Sequence, residues 1–276
     1  MILPGMFSSI YEWYPLINRI SEFARVIAVH RKGLGKSDKG EEEPSTMETV
    51  KDLKELLRFL QINQKVFFIG HSYGGLIIQD FISTYPEQVK GVLLVDSSSV
   101  EMDRLDELVL PVMDEESSDE AWIDYCRKQA SFTTEELKEQ NALILTQDQK
   151  HYPLEIQQEL LSFPCSPILY EVMAQEVENW REDANRIKRK QTVLRFPVIA
   201  LGRDRKYCQQ KLVKAGIPED EARSFEEMWE KLIEDQANIS QIGSCFFLRD
   251  TTHLMWKEKP EEIIHFIRLL SHTLLL

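Results

Sequence analysis

Apolar positions along the chain fall into short continuous runs that alternate with longer stretches of helical period. Arg25-Val-Ile-Ala-Val-His30, Val66-Phe-Phe-Ile69, Val92-Leu-Leu-Val95, Val198-Ile-Ala-Leu201 and Cys245-Phe-Phe-Leu248 are near-continuous and rich in β-branched and aromatic residues. That is the pattern of parallel strands covered on both faces. Between the first two runs, Ser45-x-x-Glu48 predicts a capping box, and Val50, Leu53, Leu57 and Leu60 recur at helical spacing. A second helix is predicted from about Gly75 to Tyr85, stopping before Pro86. The last begins at Pro260, with Glu261 and Glu262 in the first turn, where the helix dipole favours acids. Repeated strand–helix units imply an α/β fold: a mostly parallel, twisted sheet with helices on both faces.

The alternation breaks twice. From Ser97 to Thr192 the pattern is helical and aromatic, with Trp122, Tyr125, Phe132, Tyr152, Phe163, Tyr170 and Trp180. This stretch is too long for a simple crossover, so the expected organisation is a core of residues 1–96 and 193–276 with a helical cap, or lid, inserted over 97–192. The second break, Glu219 to Asn238, is a helix with Ala222, Phe225, Trp229 and Leu232 on one face, which reads as core packing rather than a cofactor site. No internal repeat or low-complexity tract interrupts the chain, and Glu41-Glu-Glu-Pro44 reads as a solvated loop.

Charge narrows the functional classes. Among 276 residues, 46 Asp and Glu outnumber 33 Lys and Arg, a formal net charge of −13 that repels phosphate backbones and anionic lipid heads. Neither nucleic acid nor membrane is expected as a partner. No apolar run approaches the ~18 residues of a membrane span, and the first residues carry no basic, apolar leader pattern, so a cytoplasmic location is expected. Cys126, Cys165, Cys208 and Cys245 are scattered without a C-x-x-C pair. That spacing supports neither zinc nor redox chemistry, and no metal or cofactor is expected.

The chemistry concentrates at Gly70-His71-Ser72-Tyr73-Gly74, which follows a predicted strand and enters a predicted helix. G-x-S-x-G in that setting places a serine on a sharp, strained turn with its hydroxyl above the sheet. The helix N-terminus brings the Tyr73 amide towards a developing oxyanion. A serine at its free pKa needs a base and an orienting acid. His253, after the last predicted strand and before the final helix, is the candidate base. His71 reads as structural, and His30, His151, His265 and His272 lack comparable context. Three acids compete. Asp204 follows the strand ending at Leu201 and completes the order Ser, Asp, His; its plainer reading is a surface charge between Arg203 and Arg205. Asp96 ends the strand Val92–Val95 and reaches towards the same histidine, and Asp250 reads as part of the histidine loop.

The residues Gly-His-Ser-Tyr-Gly-Gly (70–75), Gly33-Leu-Gly-Lys-Ser37-Asp38, Gly202-Arg-Asp204 and His253 with Glu258-Lys-Pro260-Glu261 resemble the α/β-hydrolase fold family, in its lidded bacterial branch. The resemblance extends over essentially the whole chain, and Trp13-Tyr-Pro-Leu-Ile17 resembles the family's first helix after the oxyanion loop. It implies Ser72 as nucleophile, His253 as base, Asp204 as orienting acid and the amides of Met6 and Tyr73 as oxyanion hole. Three departures accompany it. Pro4-Gly5 stands where His-Gly is usual, Gly202 to Asp204 is one residue tighter than usual, and the oxyanion turn comes with N-terminal strands missing, as from a misassigned start. The tighter spacing keeps Asp96 in play. The expected activity is cofactor-free hydrolysis of a largely apolar carboxylic ester or related small acyl compound through an acyl-enzyme. Serine in place of a carboxylate nucleophile argues against dehalogenase and epoxide-hydrolase chemistry. A non-enzymatic ligand-binding or signalling protein on the same fold, and a C–C hydrolase or lyase using the same triad, stand as alternatives.

Overall fold

The computed structural model describes residues 1–190 and 193–272. The core opens with β1 (Ile2–Leu3), α1 (Tyr14–Ser21), α2 (Thr46–Phe59), β2 (Val66–His71), α3 (Tyr73–Thr84) and β3 (Val89–Val95). A helical stretch follows: α4 (Pro111–Ser117), α5 (Asp119–Ala130), α6 (Thr134–Asn141), α7 (Leu154–Ser162) and α8 (Pro167–Lys188). The chain returns with β4 (Val198–Gly202), α9 (Arg205–Lys214), α10 (Glu219–Ala237), β5 (Gly243–Phe247), α11 (Met255–Glu258) and α12 (Pro260–His272). Gln191 and Thr192, at the expected boundary of the insertion, and residues 273–276 lie outside the described residues.

The sheet has five strands in the order β1-β2-β3-β4-β5, all parallel. Successive side chains alternate between two cores, as the period of a strand demands. Phe68, Val92, Leu94 and Val198 enter a cluster with Val50, Leu53, Ile77 and Phe81 from α2 and α3. Ile69, Leu93, Val95, Ile199 and Leu201 enter the opposite one with Leu16, Ile20, Met255 and Ile263 from α1, α11 and α12. Helix α3 lies under the sheet and is buried almost all round, which is why its sequence shows no polar face.

Two expectations about strands change. The run Arg25–His30 is no continuous strand; it meets β1 through a single bridge, Ile2 to Ala28, with Ile2 N–H donating to Ile27 O at 2.8 Å and Val29 N–H to Ile2 O at 3.2 Å. Its neighbour β1 is two residues long, so there is little for a longer strand to pair with. Those two residues, Ile2 and Leu3, occupy the place beside β2 in register with Ile69 and Gly70. At Ser45 only half of the expected box forms. The Ser45 hydroxyl accepts the Glu48 amide, while the Glu48 carboxylate pairs with Lys51.

The helical stretch does not stand apart from the sheet. The first half of α8 packs Leu169, Tyr170, Val172 and Met173 with Cys126 and Leu137 of α5 and α6. Its second half sends Val177, Trp180, Ala184 and Ile187 into the core beneath the sheet. Among the described residues, no helix is long and apolar enough to cross a membrane.

Candidate active site

Strand β2 runs through His71, Ser72 turns at φ 51° and ψ −128°, and α3 begins at Tyr73. Positive φ at a non-glycine residue is strained and persists where packing over-determines it. Here the packing is explicit: a Cβ on Gly74 would lie 2.2 Å from Leu3 O, so only glycine lets the start of α3 press against β1. The same crowding holds on the other side, where a Cβ on Gly5 would lie 2.7 Å from Ser72 Cβ and 3.3 Å from its Oγ.

His253 sits in the loop after β5. Its Nδ1–H donates to Oδ2 of Asp96 at 2.6 Å, which leaves Nε2 as the free basic nitrogen. Its carbonyl accepts from His71 Nε2–H at 2.8 Å, and the two rings lie 4.5 Å apart, so the His253 imidazole rests against the residue that precedes Ser72. Burial first, then the neighbouring His253, push the pKa of His71 down to about 3, so it is a neutral prop. The loop is pinned once more at Thr252, whose amide and hydroxyl both donate to the Glu258 carboxylate at 2.6 and 2.8 Å.

Asp96, just past the end of β3, is fully buried with φ 41°. Besides His253 it accepts from the Arg203 backbone N–H (3.2 Å), the Arg203 guanidinium (3.2 Å) and the Trp229 indole N–H (3.0 Å). Burial alone would raise its pKa; the Arg203 charge and the His253 and Trp229 hydrogen bonds outweigh that and hold the carboxyl well below the usual carboxylate range. Arg203 in turn makes a bidentate pair with buried Glu226 at 2.7 and 3.0 Å and lies 4.3 Å over the Trp229 ring. With both carboxylates ionised, the three groups together carry one net negative charge, so the imidazole still faces an anion.

Asp204 is not brought to the imidazole. One carboxylate oxygen caps α9 by accepting Tyr207 N–H at 3.0 Å, and the other accepts Asp250 N–H at 3.0 Å. Burial tends to raise its pKa, and these amides outweigh it and lower it. Asp250 lies in the turn after β5 and is exposed. Sequence reasoning missed Arg203, Glu226 and Trp229. Trp229 did leave a signal, because an indole N–H inside a buried stripe needs an acceptor.

The turn Pro4–Gly5–Met6 lies against this elbow. Arg31, itself buried, donates to Pro4 O at 2.9 Å and grips Glu176 of α8 through two hydrogen bonds of 2.5 and 2.9 Å. Met6, Ser72 and Tyr73 share the wall of a cavity of about 550 Å³, completed by Leu76, Met102, Trp122, Tyr125, Val177 and Trp180. Tyr73 N–H, at the first position of α3, belongs to the amides a helix leaves without an internal partner. The acid in the wall, Asp119, is held by Trp180 Nε1–H at 2.9 Å and by Arg181. A serine hydroxyl, an imidazole oriented by a buried carboxylate, and amides beside an apolar chamber are the parts that acyl transfer requires.

The sequence model of the family described as alpha/beta hydrolase fold matches residues 1–148. The mesoderm-specific transcript protein of Mus musculus is 31% identical over 100 residues, covering 35% of this chain and 30% of that protein. The chain therefore spans less than a third of the length of such curated relatives. Two solved structures are similar throughout. The epoxide hydrolase CorEH has a TM-score of 0.64 at 19% identity, covering 99% of this chain and 90% of its own. MenH from S. aureus has 0.63 at 16%, covering 99% and 92%. At such identities the likeness is one of fold.

Proposed function

The chain belongs to the alpha/beta-hydrolase fold family, and from that premise we propose that it is a serine hydrolase acting on a small, largely apolar acyl substrate, with a carboxylic ester as the leading class. The observation that carries this reading is the 2.6 Å hydrogen bond from His253 to buried Asp96, in a loop that rests on His71, the residue before Ser72 in the wall of the apolar chamber. In this mechanism Ser72 Oγ attacks the acyl carbonyl while His253 Nε2 takes its proton. Asp96 fixes the tautomer and stabilises the imidazolium. The amides of Met6 and Tyr73 receive the oxyanion, and collapse expels the alcohol with the proton returned from His253. Water activated by the same imidazole then releases the acid. Helices α4 to α8 act as the cap, supplying Trp122, Tyr125 and Trp180 to exclude water from the chamber.

Asp96 takes the role of triad acid in place of Asp204, because only its carboxylate faces the imidazole, while Asp204 serves as a helix cap. Labelling by a fluorophosphonate probe tests the proposal. Wild type is expected to label and Ser72→Ala not, with hydrolysis of p-nitrophenyl butanoate lost in step. A correctly folded wild type that neither labels nor turns over esters sinks it and favours a ligand-binding role for the same chamber.

A further inference from the structure

A second cavity, of about 350 Å³, adjoins the catalytic one. Tyr125 lines both. Met6 and Phe7, consecutive in the chain, line one each. The wall between them thus comes from the Met6–Phe7 turn and α5, and it includes the Phe7 and Tyr125 rings. Phe7 and Tyr125 both lean on the buried Tyr170 ring, with centroids 5.8 and 6.3 Å from it. Tyr170 is itself anchored, its hydroxyl donating to Pro164 O at 2.9 Å. The two wall rings are far less confined: Phe7 is 41% and Tyr125 43% exposed. Phe7 also holds φ at 52°, a conformation that a bulky side chain rarely adopts. The second cavity is lined by Leu143, Leu145, Leu160, Leu161 and Phe163, and also by Ser9, Glu12, Asn141 and Gln149, whose side chains are engaged by Tyr11 N–H, Lys257, Pro164 O and Thr146 N–H.

We propose that this cavity is a second, apolar lobe of the substrate site, taking the distal methylenes of a neutral straight acyl chain, and that Tyr125 sets how long a chain the enzyme accepts. The inference rests on the serine-hydrolase reading. The occupant follows from the lining. The catalytic chamber contributes no unpaired charge, since Asp119 is bound by Trp180 and Arg181. In the second cavity the polar side chains are already paired, so a chain that passes Tyr125 has the leucines to cover it. With the ring in place the chamber closes on short and medium chains. Without it, each methylene that gains apolar cover is worth a factor of about four in transition-state binding.

Butanoate, octanoate and dodecanoate p-nitrophenyl esters read this directly. In Tyr125→Ala the ratio of kcat/KM for dodecanoate over butanoate is expected to rise at least about tenfold over wild type. Adding Leu161→Trp, which refills the lobe, is expected to return the ratio towards wild type. Phe7→Gly opens the same wall with a residue suited to positive φ, and provides a second opening should Tyr125→Ala fold poorly. A ratio unchanged in both openings, or raised but indifferent to Leu161→Trp, overturns the lobe while leaving the serine-hydrolase reading intact. A folded wild type inactive on all three esters overturns both.

Discussion

An ionised carboxylate with no exposed surface is costly unless every lone pair is met. Asp96 meets that condition with a guanidinium, a backbone amide, an indole and an imidazole. Replacing it by asparagine keeps the shape but removes the anion and invites the wrong histidine tautomer. For Asp96→Asn, kcat is expected to fall by roughly 10³- to 10⁴-fold, the scale reached when a triad loses its acid. Asp204→Ala is expected to leave kcat within a few-fold and to cost about 1 kcal/mol through the lost cap, read by urea unfolding. His30 supplies a pH test. Its Nε2 accepts Ile10 N–H at 2.9 Å, and burial followed by the Arg31 charge lowers its pKa from 6.5 to about 4. The unfolded chain therefore binds the extra proton first. The contribution of neutral His30 is complete above pH 6.5 and is lost as the pH falls towards 4. Urea midpoints measured across that window should decline with acidification, and in His30→Gln the slope should correspond to about one proton fewer.

Arg31 joins pieces that are far apart in sequence: the Pro4–Met6 turn through Pro4 O and helix α8 through Glu176. Val177 and Trp180, on the same helix, line the catalytic chamber. Glu176→Gln leaves the guanidinium buried without its full partner, so a stability loss of about 3 kcal/mol is expected in urea. If the pair also holds the turn in register, kcat falls by about tenfold while KM stays within twofold, as the proposed role of the Met6 amide towards the oxyanion requires. Equal changes in both constants would reduce the pair to scaffolding. At this level much was readable. Strands β2, β3, β4 and β5 and helices α2 and α12 lie where hydrophobic period and caps predict, within a few residues. What escaped was β1, because two residues have no period, and the loss of the Arg25–His30 strand, because a strand exists only opposite its neighbour.

Helix α8 is the spine of the assembly. A cluster of Thr46, Asp80, Asp183 and Arg186 locks it to α2 and α3, with Arg186 donating to Asp80 at 2.6 Å and the Thr46 amide to Asp183 at 2.8 Å. Since its apolar residues serve both the insertion and the sheet core, the two are expected to unfold as one unit. Tryptophan fluorescence and far-ultraviolet circular dichroism should give coincident urea transitions. In Asp80→Asn both should move together to lower urea by an amount equivalent to about 3 kcal/mol. Two separated transitions would show the insertion to be an independent domain.

The strand runs, the turn that carries Ser72 and the acidic charge are properties of contiguous residues, so the chain alone dictates an α/β sheet with a serine poised at a strand end. Which carboxylate meets His253 is a different kind of fact. Asp204 completed the expected chain order, yet one of its oxygens goes to the Tyr207 amide in the first turn of its own helix and the other to the Asp250 amide after β5. Asp96 won because β3 lies beside β4 and β4 beside β5, which places its carboxylate between Arg203 and the histidine loop. That adjacency is set by the packing of the whole sheet, and no window of sequence contains it.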